Sequence, residues 1–485
     1  MKPTPPALPG SPFIGHTMQF IKDRDGLLRR GFEKLGPIFS IKLFGKNSVV
    51  LIGPEYQQIF FSETDKKLSM HKTYKFLAAA FGEVGFTGPP EVYTAQRPIL
   101  HSPFKAEKMI TSIKVMQTEV QQWLDTLGEQ GEIELTSAIT TLVQNVASHA
   151  LMGKEFREKA GSEFWGYYQI LGQSLDPMLP PNLPLPKFIR RDQARKKLSA
   201  ILRPIIATRR AHPEDYDDFL QDFVNSRYKD GSAVDDETIL SLILGLMFAG
   251  HETTAGQAAW TIIQLLQNPD YLALVQQEIA EYLPVGQQID GRGLSNLKHV
   301  FWAVEETTRL NPSADMLFRM AEEDVEVGEY RIPQGWSLMV NATIAQKLPD
   351  VFSNPESYDP LRFSPERKED RAHRFSIIGF GGGIHKCAGM NFANNEMIMI
   401  TSLLLQQFDL ELVTKDPQIN HGLGANRPKP TIVRYRRKTQ SNPVPVSSST
   451  DAAASCPHLS VPSTETPCGH VAQTEESASK ATSGD

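Results

Sequence analysis

The sequence predicts a mainly α fold with a small β region, and three observations carry that expectation. The segment from Asp235 to Pro269 is apolar nearly all round over about 33 residues, on the order of 50 Å of helix, which marks it as a buried central helix. The run MNFANNEMIMITSLLLQQF after Gly389 has the same helical character. Short β-like pieces around FSIKLFG and SVVLIG suggest a small hairpin near the N-terminus.

In chain order, residues 1 to about 30 read as an irregular proline-rich arm, followed by the hairpin and then by long helical patterns. The proline-rich stretch Asp176 to Phe188 interrupts them and the basic amphipathic run IRRDQARKKLSAILRPIIATRR follows. That run reads as a solvated helix face, or alternatively as a mobile lid over a substrate channel in contact with lipid. The central helix opens on acidic residues and closes at Asn268-Pro269. From Thr439 onward no aromatic residue occurs and Ser, Thr, Pro and Ala dominate, which is the composition of a disordered tail. The expected organisation is an arm over 1–30, one large domain over 31–438 and a low-complexity tail over 439–485.

A chain of 485 residues with 40% apolar content can bury a core large enough to enclose a cofactor. Its net charge of −6, with no basic stripe, argues against nucleic-acid binding. Of three cysteines, Cys456 and Cys468 fall in the polar tail and leave Cys387 alone, so a disulfide framework is not expected and a reducing compartment fits. No uninterrupted apolar run reaches the roughly 18 residues of a membrane span, and MKPTPPALPGSPFIGH has no signal-peptide core. A soluble, cytoplasmic protein without a transmembrane anchor is the expectation, with peripheral membrane contact as the alternative.

The stretch FGGGIHKCAG, Phe380 to Gly389, concentrates the chemistry. A thiolate ligand to a haem iron needs close backbone N–H groups and a flat approach for the porphyrin. Gly381, Gly382, Gly383 and Gly389 remove the Cβ atoms that would obstruct both. The helix that follows would place its positive end near the sulfur of Cys387. His385, two residues earlier, could reach a haem propionate. A lone apolar-context cysteine is more often a small buried hydrophobe, but this spacing favours the ligand.

In the central helix, Glu252 stands beside Thr253 and Thr254, between Gly250 and Gly256. One reading pairs Glu252 with a surface cation and has the threonines bond back to carbonyls one turn earlier. The other is proton delivery, in which a hydroxyl beside a carboxylate passes protons through ordered water, and the glycines mark where a ligand approaches the helix.

The cysteine loop resembles F-x-x-G-x-[H/R]-x-C-x-G of the cytochrome P450 monooxygenases, matching at Phe380, Gly383, His385, Cys387 and Gly389. AGHETT resembles the acid–alcohol motif of the same family, with Glu252 as acid and Thr253 as alcohol. The resemblance covers roughly residues 5 to 438 and implies a triangular helical prism that encloses haem b, with Cys387 as the iron ligand. It places Tyr74, Arg97, Arg319, His385, Phe380 and Gly381 around the haem. It also predicts a buried structural triad of Glu306 and Arg309, from the E-x-x-R helix, with Arg362 from the P-x-R-F segment. YKFLAAAFGEVGF, Tyr74 to Phe86, resembles the substrate-channel signature of the sterol 14α-demethylases, at Tyr74, Phe76, Phe81 and Gly82.

Three departures from that branch stand in this sequence. Glu252 occupies a place where it generally has histidine, the signature lacks its acidic end, and Ser313, Ala314 and Asp315 replace proline and aliphatic residues. Asp315 either lines the pocket of a more oxygenated substrate or turns outward. Pocket candidates by resemblance are Phe76, Leu77, Phe81, Phe248, Ala249, Asp315, Leu317 and Phe318, each equally readable as ordinary core.

The implied activity is haem-thiolate monooxygenation: hydroxylation or oxidative demethylation of a hydrophobic substrate, a sterol or other terpenoid or lipid, using O2 and two electrons. No flavin or iron–sulfur motif occurs in the chain, so a ferredoxin or flavodoxin-type donor with its reductase is expected. Arg367, Lys368, Arg371, His373, Arg374 and Lys386 could dock an acidic donor or simply form a solvated face. A haem-thiolate isomerase or dehydratase acting on a peroxide, or a non-enzymatic haem-binding protein, is the alternative, and the Glu252–Thr253 pair speaks against both.

Overall fold

The computed structural model describes residues 1–422 and 425–439. The expected tail, with Cys456 and Cys468, lies outside the described residues.

The N-terminal arm is shorter than its composition suggested. Thr17–Lys22 and α1 (Arg24–Leu35) are helical, and the Asp23 side chain caps α1 by accepting from the Gly26 N–H. Proline density hides these helices because the prolines end at residue 12 while the apolar spacing of Leu27, Leu28 and Gly31 starts later.

The expected hairpin forms as β1 (Ile38–Leu43) and β2 (Lys46–Leu51), antiparallel, with Phe44 and Gly45 in positive-φ turn conformations. It extends into a five-stranded sheet in which β3 (Leu68–Ser69) pairs with β4 (Met316–Ala321), β4 with β5 (Ser337–Asn341), and β5 runs parallel to β2. The chain therefore returns to the N-terminal sheet from some 250 residues downstream, a long-range pairing that local pattern does not show.

A three-stranded sheet of Gln130–Glu134, Ile432–Arg437 and Phe408–Leu412 and a small hairpin of Val325–Val327 and Tyr330–Ile332 go beyond the single hairpin expected, and helices supply most of the rest. α2 (Pro90–His101) opens on Pro90, whose fixed φ suits a first helical turn. Asp176 to Leu185 is irregular, and the basic run is a helix, Pro186–Ala211, whose buried stripe includes Ala194, Leu198, Leu202 and Ile206. Its exposed basic side is a solvated face, with Arg195 and Arg203 both paired to Glu237.

α3 (Asp236–Gln267) is the central helix, capped by the Asp235 side chain at the Thr238 N–H. By length and composition α3 could cross a membrane, which amends the sequence expectation. Two thirds of its apolar window is buried in protein, so the core accounts for its character. α4 (Lys298–Leu310) and α5 (Met390–Gln407) pack beside it, and a short hairpin of β6 (Ile419–His421) and β7 (Asn426–Pro428) lies against it near Gly256.

Candidate active site around Cys387

The loop before α5 is built by three backbone contacts. The Gly381 N–H donates to the Ile378 carbonyl at 2.8 Å, the Cys387 N–H to Phe380 at 3.0 Å and the Lys386 N–H to Gly383 at 3.3 Å. Gly381 and Gly383 have φ of 69° and 66°, where a side chain is strained. A Cβ on Gly383 would meet the Phe61 carbonyl oxygen at 2.6 Å, and one on Gly382 would meet the Phe375 and Phe61 rings at 2.8 and 3.0 Å. These two glycines let the loop lie against Phe61 rather than against a ligand. Gly381 is the open one, with Leu317 at 4.0 Å.

Cys387 has accessible surface, yet protein encloses it closely enough that burial pushes its thiol up, opposed by the Gly389 N–H and Lys386. Both hold together when a side chain faces a recess within the fold. An unmetallated thiol there resists ionisation, and an iron ligated to the sulfur would supply the missing compensation.

Anion partners converge on the same loop. Arg319 is 2% exposed, donates from Nε to Thr64 Oγ1 at 3.1 Å, lies over the Phe60 ring at 4.9 Å, and has no carboxylate within ion-pair distance among the described residues. Burial pulls its guanidinium down, with Tyr74 and Asp65 opposing. A buried cation of this kind is costly unless an anion is supplied. Tyr74 Oη accepts the Phe318 N–H at 3.2 Å. Arg97 is exposed on α2 beside Tyr93, whose hydroxyl donates to the Ile384 carbonyl of the cysteine loop at 2.7 Å.

His385 differs from expectation. Its Nε2 lies 2.5 Å from Asp65 Oδ2 and its ring lies 4.0 Å from that of Tyr93, so it is held by a protein carboxylate. Sequence reasoning missed His101, one turn past Arg97. Its Nε2 is buried without a partner among the described residues, and burial and then Arg97 pull the ring's pKa down. The i, i+4 spacing to Arg97 on one helix face was the available signal.

A sulfur ligand in a recess, a buried unpaired guanidinium and an orphaned histidine nitrogen form a donor set that fits a planar metal cofactor with anionic arms. Haem b answers that description.

The pocket candidates divide. Phe81 is fully buried, 4.6 Å from the Phe248 ring and 6.0 Å from Tyr168, and Phe76 and Leu77 join the same cluster. Ala249 and Gly250 are exposed on α3, with open space beside Gly250. Leu317 approaches Gly381, but Phe318, its neighbour along β4, packs with the N-terminal core of Leu8, Leu27 and Ile41, as strand alternation requires.

Asp315 turns outward. Its Oδ2 lies 2.8 Å from Arg24 Nη2 on α1, and although burial raises its carboxyl, Arg24 pulls it back. The polar pocket wall is thereby corrected to a link between α1 and β4.

Around the acid–alcohol pair, α3 runs unbroken through Gly250 and Gly256. The expectation that Gly256 admits a ligand is also corrected, because a Cβ there would meet the Asn426 carbonyl at 2.7 Å: the glycine seats the β6–β7 hairpin. Thr253 Oγ1 donates to the Ala249 carbonyl at 2.6 Å, and Glu252 Oε1 is 3.7 Å from Arg427 Nη1. Glu252 is half-buried rather than buried, so its sequence position overstated its desolvation.

The Glu306, Arg309 and Arg362 side chains are 0% exposed and form one network. Glu369 joins it at 2.7 Å from Arg362 Nη1 and links it to Arg367. Of the basic residues near the loop, Arg367 is held by Asp359 and Glu369, whereas Lys368, Arg371, His373, Arg374 and Lys386 are exposed. A separate cleft of about 650 Å³, lined by Lys108, His149, Met152 and Arg209, includes none of the cysteine-loop residues and is not the site of this chemistry.

Comparison with known proteins agrees with this geometry. The cytochrome P450 family model matches residues 5–434. A sterol 14-demethylase of Arabidopsis thaliana is 33% identical over 455 residues, covering 91% of this chain and 93% of that protein. The sterol 14alpha-demethylase of Mycolicibacterium vanbaalenii is 32% identical over 451 residues, 91% of this chain and 99% of that protein. The solved structure of retinoic acid-bound cyanobacterial CYP120A1 superposes with a TM-score of 0.81 at 26% identity, over 90% of this chain and all of that one. With the family model spanning nearly the whole described fold, the chain belongs to the cytochrome P450 family, and is a haem b monooxygenase that takes a hydrophobic substrate, O2 and electrons from a redox partner.

Proposed function

We propose that this monooxygenase oxidises a sterol, with Cys387 as the residue that would ligate the haem iron and Glu252 and Thr253 as the proton-supplying pair. The observation that carries the substrate class is the similarity to sterol 14-demethylases over more than nine tenths of the chain. Phe76, Leu77, Phe81 and Phe248 share one apolar cluster and Leu317 stands in another beside Gly381, and such side chains would hold a rigid tetracyclic ligand by shape and apolar area.

Haem b, when bound, supplies the activation of O2 with two electrons from a donor. The chain's residues orient and protect that chemistry. Arg319, Tyr74, Arg97 and His101 would hold the propionates, and Asp65 keeps His385 oriented beside them. The Thr253 hydrogen is committed to Ala249, so its oxygen is left to accept a hydrogen bond and hold in place the water through which Glu252 would deliver a proton. Exposed Lys368, Arg371, Arg374 and Lys386 suit an acidic ferredoxin or flavodoxin-type donor, and a reducing cytoplasm would keep Cys387 available.

The test is an optical titration of the ferric holoprotein with a 14α-methyl sterol. A saturable low-spin to high-spin shift, as the sixth ligand leaves, is expected. Absence of a shift in protein with an intact thiolate–CO spectrum would overturn the sterol assignment. It would leave a smaller isoprenoid as the second reading, which the match to a retinoic acid-bound structure favours.

A further inference from the structure

Three residues unusual for their positions, Gly256, Ser313 and Asp315, have one structural explanation in common. All three fasten the β6–β7 hairpin to the elements beside Glu252. Asp315 pairs with Arg24 at 2.8 Å, and Arg24 Nη2 donates to Asn426 Oδ1 at 2.5 Å. Asn426 is itself 5% exposed and triply held: its N–H donates to the Ser313 carbonyl at 2.8 Å, its side-chain amide donates to the Pro312 carbonyl at 3.2 Å, and its carbonyl sits where a Gly256 Cβ would be. Ser313 Oγ in turn donates to the Thr253 carbonyl at 3.0 Å.

The next residue after Asn426 is Arg427, whose Cβ is 3.1 Å from that same Gly256 position and whose Nη1 is 3.7 Å from Glu252 Oε1. We propose that Arg427 is the positioning residue for Glu252, holding its carboxylate over the outer side of α3 where it meets solvent. The buried Asp315–Arg24–Asn426 chain fixes Arg427 in that place.

The distance is informative. At 3.7 Å the guanidinium steers the carboxylate by charge without occupying its lone pairs, which stay free for water. A half-exposed pair contributes little stability, so the docking of the whole hairpin is not explained by the pair itself. The other polar groups on the inner side, Tyr168 and His251, are committed to the carbonyls of Leu244 and Met247 and leave the carboxylate to Arg427.

This inference rests on the reading of Glu252 as the acid, and the experiment separates the two. Peroxide released per NAD(P)H would be measured with a 14α-methyl sterol in Arg427→Ala, Arg427→Lys, Glu252→Gln and the Arg427→Ala/Glu252→Gln double variant, each checked for an intact thiolate–CO spectrum. Arg427→Ala is expected to lower product per NAD(P)H on the order of tenfold at unchanged KM, with Arg427→Lys restoring most of it and the double variant no worse than Glu252→Gln alone. Independently of turnover, the infrared carboxylate band assigned by subtraction of Glu252→Gln should move in Arg427→Ala and return in Arg427→Lys. Unchanged coupling and an unmoved band in Arg427→Ala would overturn the role of Arg427, while unchanged coupling in Glu252→Gln would overturn the acid assignment and the inference with it. If Arg427→Ala fails to fold, Asp315→Asn tests the same link, and a wild-type band there counts against it.

Discussion

Arg362 Nε stands 3.1 Å from each carboxylate oxygen of Glu306, while Arg309 forks onto the same two oxygens at 2.7 and 2.8 Å. The remaining donors of the two guanidinium groups reach the carbonyls of Gln346, Ser353, Pro355 and Ser357, and the Asp359 N–H donates back to Glu306. A network of full charges without accessible surface is stable only because nearly every donor and acceptor is satisfied. Gln346 connects it to the cysteine loop, because its side chain accepts the Ile378 N–H at 2.7 Å, three residues before Gly381.

Removing one member should therefore cost far more than a surface ion pair. Glu306→Gln leaves buried Arg309 without a carboxylate and Arg362 with only Glu369, which Arg367 shares, and is expected to destabilise by about 3–5 kcal/mol. Urea denaturation of the holoprotein and its haem content would check this. Wild-type stability in that variant would remove the network from its structural role.

Gly383→Ala should damage the loop with no change in its chemistry. The new Cβ would meet the backbone carbonyl oxygen of Phe61 at 2.6 Å at a φ of 66°, and neither the backbone nor the dihedral can yield cheaply. Strain alone costs about 1–3 kcal/mol. Reduced haem retention at wild-type expression is expected, whereas Gly36→Ala, also at positive φ but in open space, should lose stability without losing haem. Equal haem content in the two variants would show that the Phe61 contact does not shape the loop.

Thr253→Ala removes the hydroxyl whose hydrogen is fixed on Ala249. If its oxygen holds the proton-delivering water, electrons should be diverted to peroxide by about tenfold or more with the CO spectrum unchanged, and Thr253→Ser should restore coupling. Full coupling in Thr253→Ala would assign the hydroxyl only the helix-internal bond that it makes to Ala249.

What the sequence made legible was chemistry concentrated in a short run. Cys387 with its glycines and α3 with its acidic start each have a local pattern that physical requirements explain, whereas the buried role of Glu306 and Arg309 came from the family resemblance. What stayed hidden was long-range. Asp315 looked like a pocket residue because its partner Arg24 lies 291 positions earlier, and Gly256 looked like a ligand approach because nothing local announces the Asn426 carbonyl. Glu369 was missed for the opposite reason: an acidic residue among exposed basic ones gives no sign that it reaches Arg362. Phe318 was misplaced by treating adjacent strand residues as if they shared a face.

Glu396 is a buried carboxyl on α5 that takes no part in the proposed chemistry. Its Oε1 has no partner among the described residues, and burial alone pushes its pKa up to about 8 from 4.5. The folded protein keeps this proton while the unfolded chain releases it above about pH 4.5, so the unfolded state binds fewer protons through that window. Stability must therefore fall as pH rises from about 4.5 and stop falling from this source above about 8. Glu396→Gln keeps the shape and removes the titration, so its stability should change less with pH across that range, and the difference from wild type should grow in its favour toward pH 8. Urea midpoints of both proteins at matched pH values measure this directly. A constant offset between them at every pH would mean that Glu396 is ionised in the folded protein, with a cation or water compensating it.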